Sequence, residues 1–170
     1  MSQKNIALIG FMGSGKSVVS KKLAATLKCE AISTDEWIER REGRAICRIF
    51  EESGEPYFRE QETQAVREVA GKESVVLDCG GGVVLNPRNI KELRKKGVIV
   101  FLSASPETVY QRIKDKKNRP LLKAVDPQAK IRQLMEERKS LYAQADYTIA
   151  TDKKSVRQIC EEIIRLLADE

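Results

Sequence analysis

The sequence of 170 residues is long enough for a sizeable core, and its 41% hydrophobic and 33% charged residues exclude a disordered chain. No apolar run reaches a membrane-spanning length and no signal peptide is recognisable, so we expect a cytoplasmic protein without membrane contact. The net charge of +6 fits nucleic acid or anionic small molecules, but only 5% of the residues are aromatic, which is too few for base stacking and favours small molecules.

Short apolar segments alternate with longer amphipathic ones, a pattern typical of βαβ units and a mostly parallel sheet. The predicted strands are Asn5–Ile9, Glu30–Ser33, Ser74–Asp78, Val98–Leu102 and Tyr147–Ala150. The predicted helices are Lys16–Leu27, Thr34–Arg41, Ile46–Glu52, Pro56–Ala70, Pro87–Lys96, Pro106–Lys114, Pro127–Ser140 and Ser155–Ala168. Since no repeat or linker interrupts this order, we expect residues 1–170 to form a single domain.

The first strand leads directly into Gly10–Ser17, which reads Gly-Phe-Met-Gly-Ser-Gly-Lys-Ser and matches the phosphate-binding loop G-x-x-x-x-G-K-[ST]. Its glycines allow backbone N–H groups to surround phosphate oxygens, and the following helix adds its positive dipole end. Lys16 supplies a cation and the Ser17 hydroxyl can ligate Mg²⁺. The motif therefore predicts binding of a nucleoside triphosphate.

Two aspartates follow predicted strands. In a parallel sheet, ligands bind at the carboxyl ends of the strands, so Asp35 can orient or deprotonate an attacking hydroxyl, or it can simply cap the next helix. Asp78 ends an apolar strand as a Mg²⁺-holding Walker-B acid does, or it opens a turn. The glycines Gly80, Gly81 and Gly82 then permit close backbone approach to a ligand.

With no histidine in the chain, carboxylates are the candidates for proton transfer. The four cysteines have no C-x-x-C spacing, which indicates reduced thiols rather than a zinc site.

Several arginines are candidates for anion binding, although each could equally form an exposed ion pair. Arg59 begins a helix with Glu62 three residues on, close enough to fix the guanidinium, and Arg138 lies on a later helix. Arg119 falls in an irregular basic segment at 115–124 that could cover the nucleotide and reach its phosphates. Arg112, on the preceding helix, could stack on the base.

Taken together, these motifs resemble the shikimate kinase family over nearly the whole chain. The motifs are Gly10–Ser17, Thr34-Asp35, Gly54-Glu55 through Phe58-Arg59 and Glu62, Gly80–Gly82, Arg119-Pro120-Leu121-Leu122, and Glu137-Arg138 with Leu141-Tyr142. The resemblance implies transfer of the γ-phosphoryl group of ATP to the 3-hydroxyl of shikimate, with Mg²⁺, in a monomer that binds no nucleic acid.

The resemblance also implies roles for individual residues. Lys16, Asp35 and Arg119 are the expected catalytic residues, and Ser17 is an expected metal ligand. Asp78 is the second expected metal ligand, on the ground of its Walker-B-like position rather than of the resemblance. The expected shikimate contacts are Asp35, Arg59, Gly80, Gly81, Gly82 and Arg138. The expected ATP contacts are Gly13, Ser14, Gly15, Lys16, Ser17, Val18, Arg112, Arg119 and Lys153.

The family fold implied is a three-layer α/β/α arrangement with a five-stranded parallel sheet in order 2-3-1-4-5, a substrate-binding region at about 34–70 and a lid at about 115–124. Two positions depart from the family pattern. Ser33 stands where the family commonly has the first acid of Asp-x-Asp, and Asp78 stands where it commonly has a small residue. We hypothesise that Asp78 supplies the Mg²⁺ contact that Ser33 cannot.

Two other functions compete with this one. A phosphate-loop kinase for another polyol or sugar acid, such as gluconate, would share most of the motifs. A nucleotide-binding switch without turnover would share only the phosphate loop, and it would leave Asp35, Arg59 and Arg138 without a purpose.

Overall fold

A computed structural model describes residues 4–116 and 123–168, and a parallel sheet of five strands lies at its centre. The strands are β1 (Asn5–Ile9), β2 (Glu30–Ser33), β3 (Val75–Asp78), β4 (Gly97–Ser103) and β5 (Tyr147–Ala150). Their order is β2-β3-β1-β4-β5 and neighbouring strands pair in parallel, which confirms the predicted sheet.

The strands differ in burial according to their place in the sheet. All residues of the central strand β1 and of its neighbour β3 are buried, whereas the edge strands β2 and β5 carry exposed positions. A parallel sheet covered by helices on both faces needs apolar side chains on both sides of its central strands. This requirement explains the unbroken apolar runs from which the central strands were predicted.

Helices cover both faces of the sheet. They are α1 (Lys16–Leu27), α2 (Thr34–Glu42), α3 (Ile46–Ala70), α4 (Pro87–Arg94), α5 (Pro106–Ile113), α6 (Pro127–Tyr142) and α7 (Val156–Ala168), with a 3₁₀ turn at Val83–Leu85. On one face, Val19 of α1 and Ile159 of α7 share a buried cluster with Leu8. On the other, Val66 of α3 and Leu93 of α4 enclose the sheet, which gives the predicted three layers.

The long element α3 consists of two helical segments joined at a kink, in agreement with the two helices predicted at 46–52 and 56–70. Gly54 between them is non-helical (φ 82°, ψ 168°), and Pro56 follows two residues later. Glycine adopts a positive φ without strain, and proline is tolerated in the first turn of the segment that follows such a break. The other predicted ends lie within two residues of those observed.

Asn5 is a buried polar residue at the amino end of the central strand β1. It is 2% exposed and donates to Ala70 O (3.3 Å) and Lys72 O (2.9 Å), while its Oδ1 accepts from Val75 N (3.2 Å). These bonds join α3 to β3 far from the phosphate loop, which follows the carboxyl end of β1.

Within the described ranges, no helix has the length and apolar character needed to cross a membrane.

Candidate active site

A cavity of about 730 Å³ opens at the carboxyl edge of the sheet. This is where parallel α/β sheets bind their ligands. The sequence-predicted residues that line it are Gly13, Ser14, Gly15, Lys16, Ser17, Val18, Asp35, Arg59, Asp78, Gly80, Gly81, Gly82, Arg112 and Arg138. Residues far apart in the sequence therefore meet in one cavity.

The phosphate loop forms one wall. Gly13 and Gly15 have left-handed backbone conformations (φ 76° and 98°), which side chains rarely adopt, and α1 begins directly after them. The buried Lys16 donates from Nζ to Gly10 O (2.9 Å) and Phe11 O (3.1 Å), so its charge is held at the loop. A helix N-terminus, turned backbone and fixed cation together form an anion site.

Asp78 lies beside this loop at the end of β3 and is only 9% exposed. Asp78 and Ser17 both line the cavity. Burial raises the pKa of Asp78, and the Ser17 hydroxyl and the Lys16 charge oppose that rise.

The donor set of Ser17 and Asp78 fits Mg²⁺. Mg²⁺ prefers oxygen ligands, and in kinases it takes one or two from the protein and the rest from phosphates and water. The described residues contain no group of three or more acidic, cysteine or histidine side chains arranged for a metal. The protein's own share of the ligands here is therefore small, as expected for a metal bound together with nucleotide phosphates.

Arg59 lines another wall of this cavity and is held there by two carboxylates. Its guanidinium contacts Glu62 Oε2 (2.8 Å) and Glu55 Oε1 (3.1 Å), and it lies 5.2 Å from the centre of the Phe58 ring. The Glu62 contact is the one predicted from their spacing. Glu62 is 1% exposed, and burial raises its pKa while the Arg59 charge lowers it.

Arg138 reaches the same wall from α6. Its Nη1 donates to Gly81 O (3.1 Å), and its guanidinium lies 5.6 Å from the centre of the Phe11 ring. Tyr142, one turn further along, approaches the same carbonyl at 3.4 Å and stacks on Phe101. Two guanidinium groups from different helices thus border the triple glycine, an arrangement suited to a carboxylate ligand.

Asp35 does not cap α2, so that alternative is wrong. Ser33 is the cap, because its Oγ accepts from Glu36 N (3.3 Å). The Asp35 side chain instead lines the cavity, and a methyl group added at Gly80 would lie 2.6 Å from Asp35 Oδ1 and 3.1 Å from Glu62 Oε1. Both carboxylates therefore approach the first of the three glycines.

Arg112, which was expected to contact ATP, is fixed beside the phosphate loop. It donates from Nη1 to Gly13 O (3.1 Å) and Thr151 Oγ1 (3.1 Å), which joins α5 to that loop.

One residue expected to contact ATP lies outside the cavity lining. Lys153 is exposed and does not line the cavity, whereas Lys154 does. Lys153 has a left-handed backbone conformation (φ 57°). Arg119 and most of the predicted lid lie outside the described residues.

Other lining residues were not predicted. They are Lys116, Lys154, Glu62, Phe50 and Phe58 among others. Three of them carried a usable signal: Glu62 is spaced to pair with Arg59, Phe58 belongs to the Phe58-Arg59 motif, and Lys116 falls in the basic segment at 115–124. Phe50 and Lys154 lie in ordinary sequence that gives none. The described lining carries six cationic side chains (Lys16, Arg59, Arg112, Lys116, Arg138 and Lys154) against three carboxylates (Asp35, Glu62 and Asp78), which favours anionic ligands.

Fold and cavity together define a class of protein. A phosphate loop after β1 and two arginines around a triple glycine line one cavity, and this is the arrangement of a small-molecule kinase with a phosphate loop. The comparisons with known proteins narrow that class.

The sequence model of the shikimate kinase family matches residues 12–168. Shikimate kinase from Caldanaerobacter subterraneus subsp. tengcongensis is 48% identical over 162 residues, which cover 95% of each chain. The enzyme of that name from Pelotomaculum thermopropionicum is 45% identical over 166 residues, or 98% of this chain and 96% of the relative. The structure of shikimate kinase from Acinetobacter baumannii in complex with shikimate matches with a TM-score of 0.93 and 38% identity, covering 98% of this chain and 93% of that one. The chain belongs to the shikimate kinase family.

Proposed function

We propose that the protein transfers the γ-phosphoryl group of ATP to the 3-hydroxyl of shikimate, giving shikimate 3-phosphate and ADP. The observation that carries this proposal is the placement of Arg59 and Arg138 on two helices around one triple glycine, in the same cavity as the phosphate loop. An acceptor with a carboxylate and ring hydroxyls fits this wall, and family membership supports the choice of shikimate.

On the acceptor side, Arg59 and Arg138 bind the substrate carboxylate through charge-assisted hydrogen bonds, and the Gly81 N–H adds a further donor. Gly80 and Gly82 leave room for the shikimate ring beside the backbone, because a side chain at Gly80 would contact Asp35 and one at Gly82 would contact Arg59. Asp35 accepts from the reacting hydroxyl and orients it toward the phosphate loop. In a loose phosphoryl-transfer transition state, orientation contributes more than basicity.

On the nucleotide side, residues Gly13–Val18 surround the phosphates, with Lys16 stabilising the charge on the transferred group. Ser17 and Asp78 would hold Mg²⁺, which when bound neutralises phosphate charge. Arg112 contacts the adenine end. A contact of Arg119 with the phosphates and a lid at 115–124 stay predictions from the sequence, because Arg119 lies outside the described residues. The lysine that faces the nucleotide is Lys154 rather than Lys153, because of these two residues only Lys154 lines the cavity.

The decisive measurement is ADP release from MgATP with shikimate, gluconate or quinate as acceptor. Stimulation by shikimate alone is the expected result. Stimulation by gluconate instead would keep the kinase but replace its acceptor, and no stimulation by any of them would favour a nucleotide switch.

Asp35→Asn separates orientation and proton transfer from plain binding. Shikimate affinity retained with turnover lowered about 10²-fold or more would support a role in the chemical step. A lost affinity would instead make Asp35 only a binding residue. Titration calorimetry with shikimate and steady-state kinetics give the two quantities on the same preparation.

Five expectations stay predictions from the sequence. They are a monomeric state, a cytoplasmic location, a single domain over residues 1–170, a substrate-binding region at 34–70 and an absence of nucleic-acid partners. Light scattering at several protein concentrations tests the first of them.

A further inference from the structure

Thr34 occupies the junction between β2 and α2 and has no exposed surface. Its Oγ1 accepts a hydrogen bond from Gly80 N at 2.9 Å and makes a longer contact of 3.4 Å with Asp78 O. One hydroxyl therefore joins this junction to the last carbonyl of β3 and to the first amide of the triple glycine, across 46 residues of sequence.

Each group that Thr34 touches is next to a residue of the reaction site. Asp35 follows Thr34 directly, Asp78 carries the carboxylate beside Ser17, and Gly80 precedes the glycines bordered by Arg59 and Arg138. The neighbouring Ser33 hydroxyl caps α2 and makes no such bond. The Thr34 hydroxyl is thus a buried polar contact that joins the residue before Asp35 to the triple glycine.

We propose that Thr34 is a positioning residue for phosphoryl transfer, an inference that rests on the proposed function. Its hydroxyl sets the separation between Asp35, beside the reacting hydroxyl, and Gly80–Gly82, beside the substrate carboxylate. A small loss of alignment at a reacting centre lowers turnover by roughly 10- to 100-fold even where binding persists.

Two matched pairs of side chains isolate the hydroxyl. The first pair is the wild type and Thr34→Val, whose side chains have the same shape but differ in the hydroxyl. The second pair is Thr34→Ser and Thr34→Ala, which also differ in the hydroxyl and both lack the methyl group of threonine. We expect Thr34→Val and Thr34→Ala to lower kcat roughly 10- to 100-fold, with the KM for ATP changed less than about threefold. Thr34→Ser retains most of the kcat. If Thr34→Val does not fold, the serine and alanine pair carries the test.

Asn5→Ala separates positioning from general loss of stability. It also removes a buried side chain that bonds to backbone groups, but at the opposite edge of the sheet. We expect Asn5→Ala to lower Tm while keeping the wild-type kcat and KM at a temperature where every variant is folded.

Hydrogen exchange at the Gly80 amide gives a readout that does not depend on activity. Faster exchange at Gly80 in Thr34→Val and Thr34→Ala, together with their lowered kcat, supports the inference. It is overturned if these variants keep the wild-type kcat, if Thr34→Ser is as impaired as Thr34→Ala, or if Asn5→Ala loses kcat in proportion to its lowered Tm. A wild-type protein without shikimate-dependent turnover contradicts the proposed function itself, whatever the exchange at Gly80 shows.

Discussion

Ser33 and Asp78 are direct neighbours in the sheet, because the register of β2 on β3 pairs their Cα atoms. Each is the last residue of its strand, at the edge where the phosphate loop lies. A carboxylate on either residue would therefore reach nearly the same region. The family commonly carries the acid on the second strand, and this chain carries it one strand nearer to the loop.

This pairing predicts that the acid can be moved back. Asp78→Ala should raise the Mg²⁺ concentration needed for half-maximal rate sharply, and Ser33→Asp in that background should recover part of the loss. Calorimetry of ADP binding with and without Mg²⁺ gives the same comparison without turnover. An unchanged Mg²⁺ dependence in Asp78→Ala would contradict the assignment of Asp78 to the metal.

Gly82→Ala should weaken shikimate binding with little effect on stability. The new methyl group would lie 2.6 Å from Cζ of Arg59 and closer still to Nη1, so the guanidinium must move, but it is the mobile end of a long side chain. We expect the KM for shikimate to rise about tenfold or more, the equivalent of about 1.4 kcal/mol. Gly81→Ala is the comparison, because its methyl group would make only ordinary contacts at 3.7 Å and 3.8 Å. An equal loss in both variants would show that Arg59 is not the cause.

Asp78→Asn should increase the stability of the fold at pH values above 3.8, the ordinary pKa of aspartate. Burial raises the pKa of Asp78 in the folded state, so the folded protein holds the proton more tightly and ionisation lowers the free energy of unfolding as pH rises. Asparagine has no such ionisation. We expect Tm at about pH 8 to increase by about 2–4 °C, the effect of ~1 kcal/mol in a chain of this size.

The gain in Tm for Asp78→Asn should shrink as the pH falls from the raised pKa of folded Asp78 toward 3.8, the ordinary value, because the wild-type carboxyl becomes protonated over that range. Calorimetric melting across the pH range measures this trend. A gain that stays constant with pH would exclude the buried charge as its source.

Arg112→Lys should raise the KM for ATP and leave the KM for shikimate nearly unchanged. The guanidinium bonds to Gly13 O and Thr151 Oγ1 at once, and a lysine ammonium cannot reproduce that planar geometry. We expect a roughly 5- to 20-fold increase in the KM for ATP, or about 1–2 kcal/mol. Arg132→Lys is the control, since Arg132 forms an exposed ion pair with Glu107 whose loss costs little. Equal KM values for ATP in the two variants would remove Arg112 from the nucleotide side.

The sequence predicted the sheet well because each strand is a short apolar run followed by a recognisable turn or helix start. The break within α3 was predictable as well, because Gly54 and Pro56 separate the two predicted helices and the non-helical residue is Gly54.

The site was harder to predict wherever a contact joins distant segments. The bond between Thr34 and Gly80 leaves no local pattern, since any buried threonine looks the same in a sequence. Lys153 and Lys154 are chemically identical neighbours, and their local sequence does not determine which one lines the cavity. Motif residues such as Lys16 and Gly82 were predictable because their chemistry requires fixed spacing.

The confinement of Arg59 between Glu55, Glu62 and the Phe58 ring has a thermodynamic consequence for the acceptor site. Ordering a long side chain on binding costs about 0.5–1.5 kcal/mol of conformational entropy. Here most of that entropy is lost when the chain folds, so it is not lost again when a carboxylate binds. The cost of ordering this arginine therefore falls on the stability of the fold and is removed from the affinity of the site.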